Sequence, residues 1–376
     1  MDILISGGTF KEGGVETILM NIIRNVDKEK IKFDIVAIRS ENEIGRYDME
    51  LESYGVNIIK VLPVRKQGIW SYMKQLNQIM QVKHYDAIHI NAVYGGIILL
   101  ICAYLNKIKK RIYHSHNTHD KIFDKKIIKF IKPVLKFIIN KLSNVKIACG
   151  KEAALYVFGE KYVNEDKVTI LYNSVDLCKY CILDRNTFQK EREKIQIEKD
   201  YIVIGNAARF TDVKNQIYLI KIVEKINELN CHENQRFVLR LAGNGEQLKT
   251  CKKYVVEHNL ETCIQFLGSI ENMKEFYSSL DVFALPSLYE GFPVSAIEAQ
   301  LCGIPTLMSD SITREADLGL GIVDFISLNE EEKWIKDIQR FASKRLFETN
   351  EKYEQVKTRF SLETLIEKIN SIYYEL

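Results

Sequence analysis

The feature that most constrains the fold is an alternation, run through twice, of short β-branched apolar runs with longer stretches of helical pattern. In the first half the runs are DILIS (2–6), FDIVAI (33–38), NIIKVL (57–62), DAIHIN (86–91), RIYHSH (111–116), KIACG (146–150) and VTILYN (168–173). Strands that alternate with helices build βαβ units, and these close into a parallel sheet. Residues 177–198 interrupt the pattern, being polar and charged with no apolar period, and read as a linker between domains. The alternation restarts at YIVIGNAAR (201–209) and runs through RFVLRLAG (236–243), IQFLG (264–268), VFALPS (282–287), PTLMSD (305–310) and IVDFISL (322–328). Beyond about Glu330 the pattern is helical. The expectation is an α/β chain of two doubly wound, Rossmann-like parallel-sheet domains, 1–176 and 199–355. A C-terminal helical segment, 356–376, follows, and its part from Leu362 to Tyr374 is expected to pack back on the first domain. A chain of 376 residues supplies two cores of ordinary size.

Several classes drop out on composition. The longest uncharged run, Ala92 to Leu105, is 14 residues, short of the roughly 20 that span a bilayer, and reads as a buried helix. Met1 leads straight into a strand, with no basic segment and hydrophobic stretch of the secretory kind, so cytoplasmic residence is expected. Eight scattered cysteines read as reduced thiols. Cys178 and Cys181 have no second pair nearby to complete a structural zinc site. Net charge is +3, yet residues 107–146 hold 12 Lys or Arg against Asp120 and Asp124, a local +10 that leaves −7 for the rest. Such asymmetry disfavours a general nucleic-acid binder and points to one basic face for anionic lipid or a phosphorylated substrate. Within that face Lys125, Lys129, Lys132 and Lys136 recur at helical spacing, with Pro133 expected to kink or split the helix.

Chemistry is sought just after strand ends, because open parallel sheets bind ligands outside their carboxyl edges. Glu290 lies in the loop after VFALPS and Glu298 about one turn inside the helix that begins near Val294. Two carboxylates thus frame a helix start whose free N–H groups and dipole suit a phosphate. Arg209 and Lys214 follow the first strand of the second domain, two cations at another strand end. The loop Gly7-Gly8-Thr9-Phe10-Lys11-Glu12-Gly13-Gly14 allows close backbone approach to a ligand but lacks the G-x-G-x-x-G spacing of a dinucleotide site. His114, His116 and His119 end the fifth strand. Three histidines invite a metal, but only Asp120 lies close in sequence, and no metal site is assigned.

The segment from Glu290 to Glu298 resembles the E-x7-E motif of glycosyltransferase family 4, the retaining GT-B glycosyltransferases, and Arg209 with Lys214 resembles that family's Arg-x4-Lys pair. The likeness covers nearly the whole chain and is most specific over 201–310. It implies two Rossmann-like domains facing a cleft and transfer of a sugar from a nucleotide sugar, UDP by default, without a metal cofactor. It further implies that Glu298 holds the ribose diol and Glu290 the donor sugar. Phe292, Val294 and Ser295 would border sugar and phosphate, with Gly13 and Gly14 over the phosphates, Gly243 beside the base and His116 against the sugar. The chain departs from the family pattern in carrying Asn117 where Asp is common and Ser174 in place of Gly. There is no Asp-x-Asp in the sequence.

The process implied is bacterial surface polysaccharide assembly, with a hexose or N-acetylhexosamine as the transferred sugar and a saccharide or lipid-linked saccharide as acceptor. The basic segment would hold the enzyme peripherally at the inner face of the membrane. Two rival readings are an epimerase or phosphorylase on the same two-domain plan and a non-catalytic nucleotide-sugar-binding partner subunit.

Overall fold

The computed structural model describes residues 1–376 except 7, 9, 11–13, 119–128, 178, 199, 231–235 and 375–376. The chain divides into two compact units, Met1–Ser174 with Leu362–Leu376, and Val175–Ser361.

The first unit is built on β1 (Asp2–Ser6), β2 (Lys32–Ile38), β3 (Asn57–Val61), β4 (Ala87–Asn91), β5 (Lys110–Ser115), β6 (Val145–Ala148) and β7 (Thr169–Ile170). All pair in parallel, in the order β3-β2-β1-β4-β5-β6-β7. The second is built on β8 (Tyr201–Ala207), β9 (Arg236–Ala242), β10 (Ile264–Gly268), β11 (Val282–Leu285), β12 (Thr306–Ser309) and β13 (Val323–Ile326), also parallel, in the order β10-β9-β8-β11-β12-β13. Every strand read from the sequence has its counterpart. Each order reverses once, between β1 and β4 and between β8 and β11. At such a switch point neighbouring crossovers diverge to opposite faces and leave a crevice at the carboxyl ends.

The strands are apolar runs because both faces of these sheets are covered by helices. In the first unit Ile3, Ile5, Ile35 and Ile112 pack with Leu19, Ile22 and Ile23 of the helix Gly14–Asn25. The same core takes in Leu365, Ile369 and Tyr373, spaced four apart on one face of the helix Leu362–Tyr374. Burying each contributes about 1.5–3 kcal/mol relative to exposure. The preceding helix, Glu351–Arg359, remains in the second unit.

Residues 177–198, read as a linker, are packed into the second unit. Asp184 caps the helix Arg185–Lys194 by accepting from the amides of Asn186 and Thr187. The helix docks through one aromatic and one cation. Phe188 is buried against Phe347, and Arg192 is buried with Nη1 2.6 Å from Asp281 Oδ2 and Nη2 donating to the Tyr201 carbonyl at 2.7 Å. No apolar stripe is needed for this, so hydrophobic periodicity gave no signal.

The basic segment is also oriented against expectation. Lys125 lies outside the described residues. In the helix Lys132–Leu142, Lys132 donates to Tyr156 Oη at 3.2 Å and Lys136 to the Leu155 carbonyl at 3.1 Å. Both lysines turn toward the protein, and burial lowers the Lys136 pKa. Phe130, Val134 and Phe137 are exposed at 86%, 56% and 68%. Pro133 sits in the first turn, where its missing N–H costs nothing, and the α-helix begins beside it after the 3-10 turn Lys129–Ile131, so the segment is divided there and not kinked. Among the described residues no helix is long and apolar enough to cross a membrane.

Candidate active site

In the second unit the loops after β8 and β11 meet at the switch point. The Leu288 amide donates to the Val213 carbonyl at 2.8 Å, and Asn215 Nδ2 to the Pro286 carbonyl at 3.3 Å. Asn215 takes a left-handed conformation, φ 52°, which Asn tolerates better than most residues, and it turns the chain into the helix Gln216–Leu229. So joined, the loops set Lys214 Nζ 2.5 Å and 2.7 Å from the two carboxylate oxygens of Glu290. Ser287 Oγ donates to Glu290 Oε1 at 2.6 Å, and Ser309 Oγ holds the Ser287 carbonyl in turn. Glu290 is 9% exposed and the Lys214 side chain 26%, so each charge is compensated by the other.

Arg209 differs. It is exposed, with its carbonyl held by Gln216 Nε2 at 3.2 Å and no side-chain bond among the described residues. The two cations read as one pair from the sequence are thus unequal: Lys214 is neutralised by Glu290, while Arg209 presents an open charge.

The helix Val294–Leu301 starts at Pro293 with no side-chain cap, leaving its first N–H groups open. Glu298 lies one turn in, half-buried. Tyr277 Oη is 2.7 Å from Glu298 Oε2 and 3.1 Å from the Ser295 carbonyl. Burial pushes the Glu298 carboxyl up to about 7, while hydrogen bonds from Tyr277 and Tyr180 and the charge of Lys179 act against the rise. Phe292 is buried and stacked on Phe360, centroids 5.9 Å apart. Gly243 has φ 133°, and a Cβ there would lie 2.1 Å from the Ala208 carbonyl oxygen. The backbone itself therefore requires glycine at 243. Ser287 and Tyr277 escaped the sequence reading, because each is recognised only by a carboxylate that folding brings to it.

In the first unit the loop following β5 puts His116 at the β1/β4 switch point. His116 Nε2 is 2.8 Å from Asn91 Oδ1 at the end of β4, and Asn91 Nδ2 donates to the Ser6 carbonyl at the end of β1 at 3.0 Å. The His116 ring packs on His114, centroids 3.9 Å apart. His114 Nδ1 lies 3.2 Å from His89 Nε2, and His89 Nδ1 lies 2.8 Å from Tyr373 Oη. Burial, aided by the charge of His89, depresses the His116 pKa to about 3, and burial alone brings His89 to about 3. The cluster is therefore neutral at physiological pH. Gly13 and His119 lie outside the described residues. Gly14 is exposed at the start of its helix, and an added Cβ would meet nothing within 4 Å. Packing requires glycine at 243 but not at 14. Among the described residues no group of three or more His, Cys, Asp or Glu could hold a metal ion.

Residues 187–318 match the family model described as Glycosyl transferases group 1, and residues 12–179 the one described as Glycosyltransferase Family 4. A protein of Bacillus subtilis (strain 168) named "Putative glycosyltransferase EpsF" is 32% identical over 333 residues, 88% of this chain and 85% of its own length. The chain belongs to glycosyltransferase family 4. An Escherichia coli relative named UDP-Gal:alpha-D-GlcNAc-diphosphoundecaprenol alpha-1,3-galactosyltransferase is 24% identical over 310 residues, 80% of this chain and 78% of its own. Among solved structures, Anabaena Alr3699/HepE in complex with UDP and glucose aligns with a TM-score of 0.74 over 100% of both chains, at 19% identity. That likeness is one of fold, GT-B. The enzyme is accordingly a glycosyltransferase.

Proposed function

We propose that this glycosyltransferase moves a hexose or N-acetylhexosamine from a UDP-sugar to a hydroxyl of a saccharide or lipid-linked saccharide, with retention of anomeric configuration, in bacterial surface polysaccharide assembly. The observation that carries the reading is the Glu290–Lys214 clamp beside an open Arg209 and an uncapped helix start. Glu298 accepts from the ribose diol, and Glu290, held rigid by Lys214 and Ser287, accepts from the donor sugar. His116 also meets the sugar. Gly13 and Gly14 cover the phosphates, Gly243 borders the base, and Phe292, Val294 and Ser295 border sugar and phosphate. As the bond from C1 to the β-phosphate oxygen breaks, the acceptor oxygen bonds to C1 from the same face and its proton passes to that phosphate. Arg209, the open helix amides and Lys214 meet the charge that gathers on the leaving diphosphate, the task a metal performs elsewhere. The UDP donor is supported by the UDP complex of the structural relative and by the UDP-Gal donor in the E. coli relative's name.

The test is turnover of UDP-glucose, UDP-galactose and UDP-N-acetylglucosamine with diphosphoundecaprenyl-linked and free saccharide acceptors, read by mass spectrometry and anomeric NMR. An anomerically inverted product overturns retention. Isomerised donor without transfer supports an epimerase, and binding without turnover a partner subunit.

Peripheral contact with anionic membrane at the cytoplasmic face rests on exposed Phe130, Val134 and Phe137 within the basic stretch 107–146. Apolar insertion then adds to attraction by the surrounding lysines. Sedimentation with phosphatidylglycerol vesicles is expected to fall for Phe130→Ser with Phe137→Ser. Equal sedimentation of that variant rules the insertion out.

A further inference from the structure

The buried amide of Asn91 has only one arrangement that satisfies its neighbours. Its Nδ2 faces two carbonyl oxygens, of Ser6 at 3.0 Å and of His89 at 3.3 Å, and only an N–H can serve both. Oδ1 is therefore the atom that faces His116 Nε2 at 2.8 Å. An amide oxygen cannot donate, so the imidazole must. That fixes the ring proton on Nε2 and leaves Nδ1 with a bare lone pair. His116 Nδ1 is buried and without a partner among the described residues, while the side chain as a whole is 7% exposed.

We infer that Asn91 is a positioning residue which locks His116 in its Nε2–H form, so that Nδ1 is an obligate acceptor for a hydroxyl of the donor sugar. This rests on the reading of His116 as a donor-sugar contact. It adds the polarity of the contact and the residue that imposes it. The sugar hydroxyl gives its proton to the hydrogen bond, and His116 selects against a sugar bearing an acceptor or no hydroxyl at that place. The low His116 pKa keeps the lone pair unprotonated across the physiological range. Asn91 ends β4 and Ser6 ends β1, so the lock is made from the two strands that define the switch point.

The test is nitrogen-15 NMR of the full chain labelled at its seven histidines, with His116 assigned by His116→Gln. In the ligand-free chain His116 should show a protonated Nε2 and a bare Nδ1. A protonated Nδ1 overturns the lock. UDP alone should leave the Nδ1 resonance in place, whereas UDP-glucose, UDP-galactose or UDP-N-acetylglucosamine, whichever raises Tm beyond UDP, should move it toward the hydrogen-bonded position. A sugar nucleotide that binds and leaves Nδ1 unmoved overturns the acceptor role. If none of the three raises Tm beyond UDP, the proposed function and the acceptor role fall together, and the lock still stands or falls on the ligand-free spectrum. Asn91→Ala should mix the two ring forms and lower kcat about tenfold with little change in KM. Asn91→Asp, which still accepts from Nε2–H but gives up the donor to the Ser6 and His89 carbonyls, should keep the single form and recover part of kcat at pH 8. Equal losses in the two variants, with the ring form unchanged, count against the inference.

Discussion

The two switch points share a topology and differ in electrostatics. At β1/β4 the groups are neutral and buried: a stack of imidazoles, an amide and a tyrosine hydroxyl. At β8/β11 they are ionic and half open: a compensated Glu290–Lys214 pair, an exposed Arg209 and a carboxyl whose pKa stands near 7. Neutral histidines can orient a sugar through directional hydrogen bonds without opposing its charge state, whereas a leaving diphosphate needs fixed positive charge. Under the proposed function, one crevice geometry serves two tasks through side-chain chemistry alone.

The contrast can be broken most sharply at Arg209. If its open charge answers the diphosphate, Arg209→Ala should lower kcat by about 10²–10³-fold, roughly 3 kcal/mol, with UDP affinity less affected. A loss below tenfold in steady-state kinetics would reassign that task. The compensated pair should behave as a unit. Lys214→Met and Glu290→Gln each leave the partner group unsatisfied, so the double variant should lose less than the two single losses combined, with a coupling of about 0.5–3 kcal/mol in kcat/KM. Additive losses would mean that the two act separately.

Glu298 and His116 set the pH contrast. Glu298, raised to about 7 by burial, should be charged at pH 8 and protonate as pH falls through 7, so UDP affinity by calorimetry should drop about tenfold toward pH 6. In the free chain the sign is opposite for stability: the Glu298 contribution is complete below the ordinary carboxyl range and lost as pH rises through about 7. Glu298→Gln should flatten both profiles. His116, depressed to about 3, should show no titration between pH 5 and 8 by NMR. The smallest effect separates the glycines. Gly243→Ala meets the Ala208 carbonyl and a positive φ and should lower stability by at least about 1 kcal/mol, while Gly14→Ala should change it by less than that and act on turnover instead. Equal Tm shifts would erase the distinction.

Much of this was legible in the sequence, and what was hidden shares a physical cause. Strands announced themselves because β-branched runs buried on both faces need no long-range partner to be recognised. The helix start at Val294 and the placing of Glu298 one turn inside it were readable from local spacing. The Lys214–Glu290 pair spans 76 residues and the Tyr277–Glu298 bond 21, and no local pattern encodes either. Asn91 looked like the last residue of a strand, since its role depends on Ser6 and His116 arriving beside it. The helix Arg185–Lys194 went unread because one Phe and one Arg anchor it. Helical spacing placed Lys132 and Lys136 on one side but could not say whether that side faced water or protein.

The helix Leu362–Tyr374 carries a last consequence. Because its Leu365, Ile369 and Tyr373 complete the core of the unit that begins at Met1, that unit is unfinished when its own strands leave the ribosome. The stretch Val175–Ser361 is continuous in sequence, so it is all synthesised before the first unit is complete. Until then an apolar face of the nascent β-sheet stays uncovered, a natural perch for a chaperone.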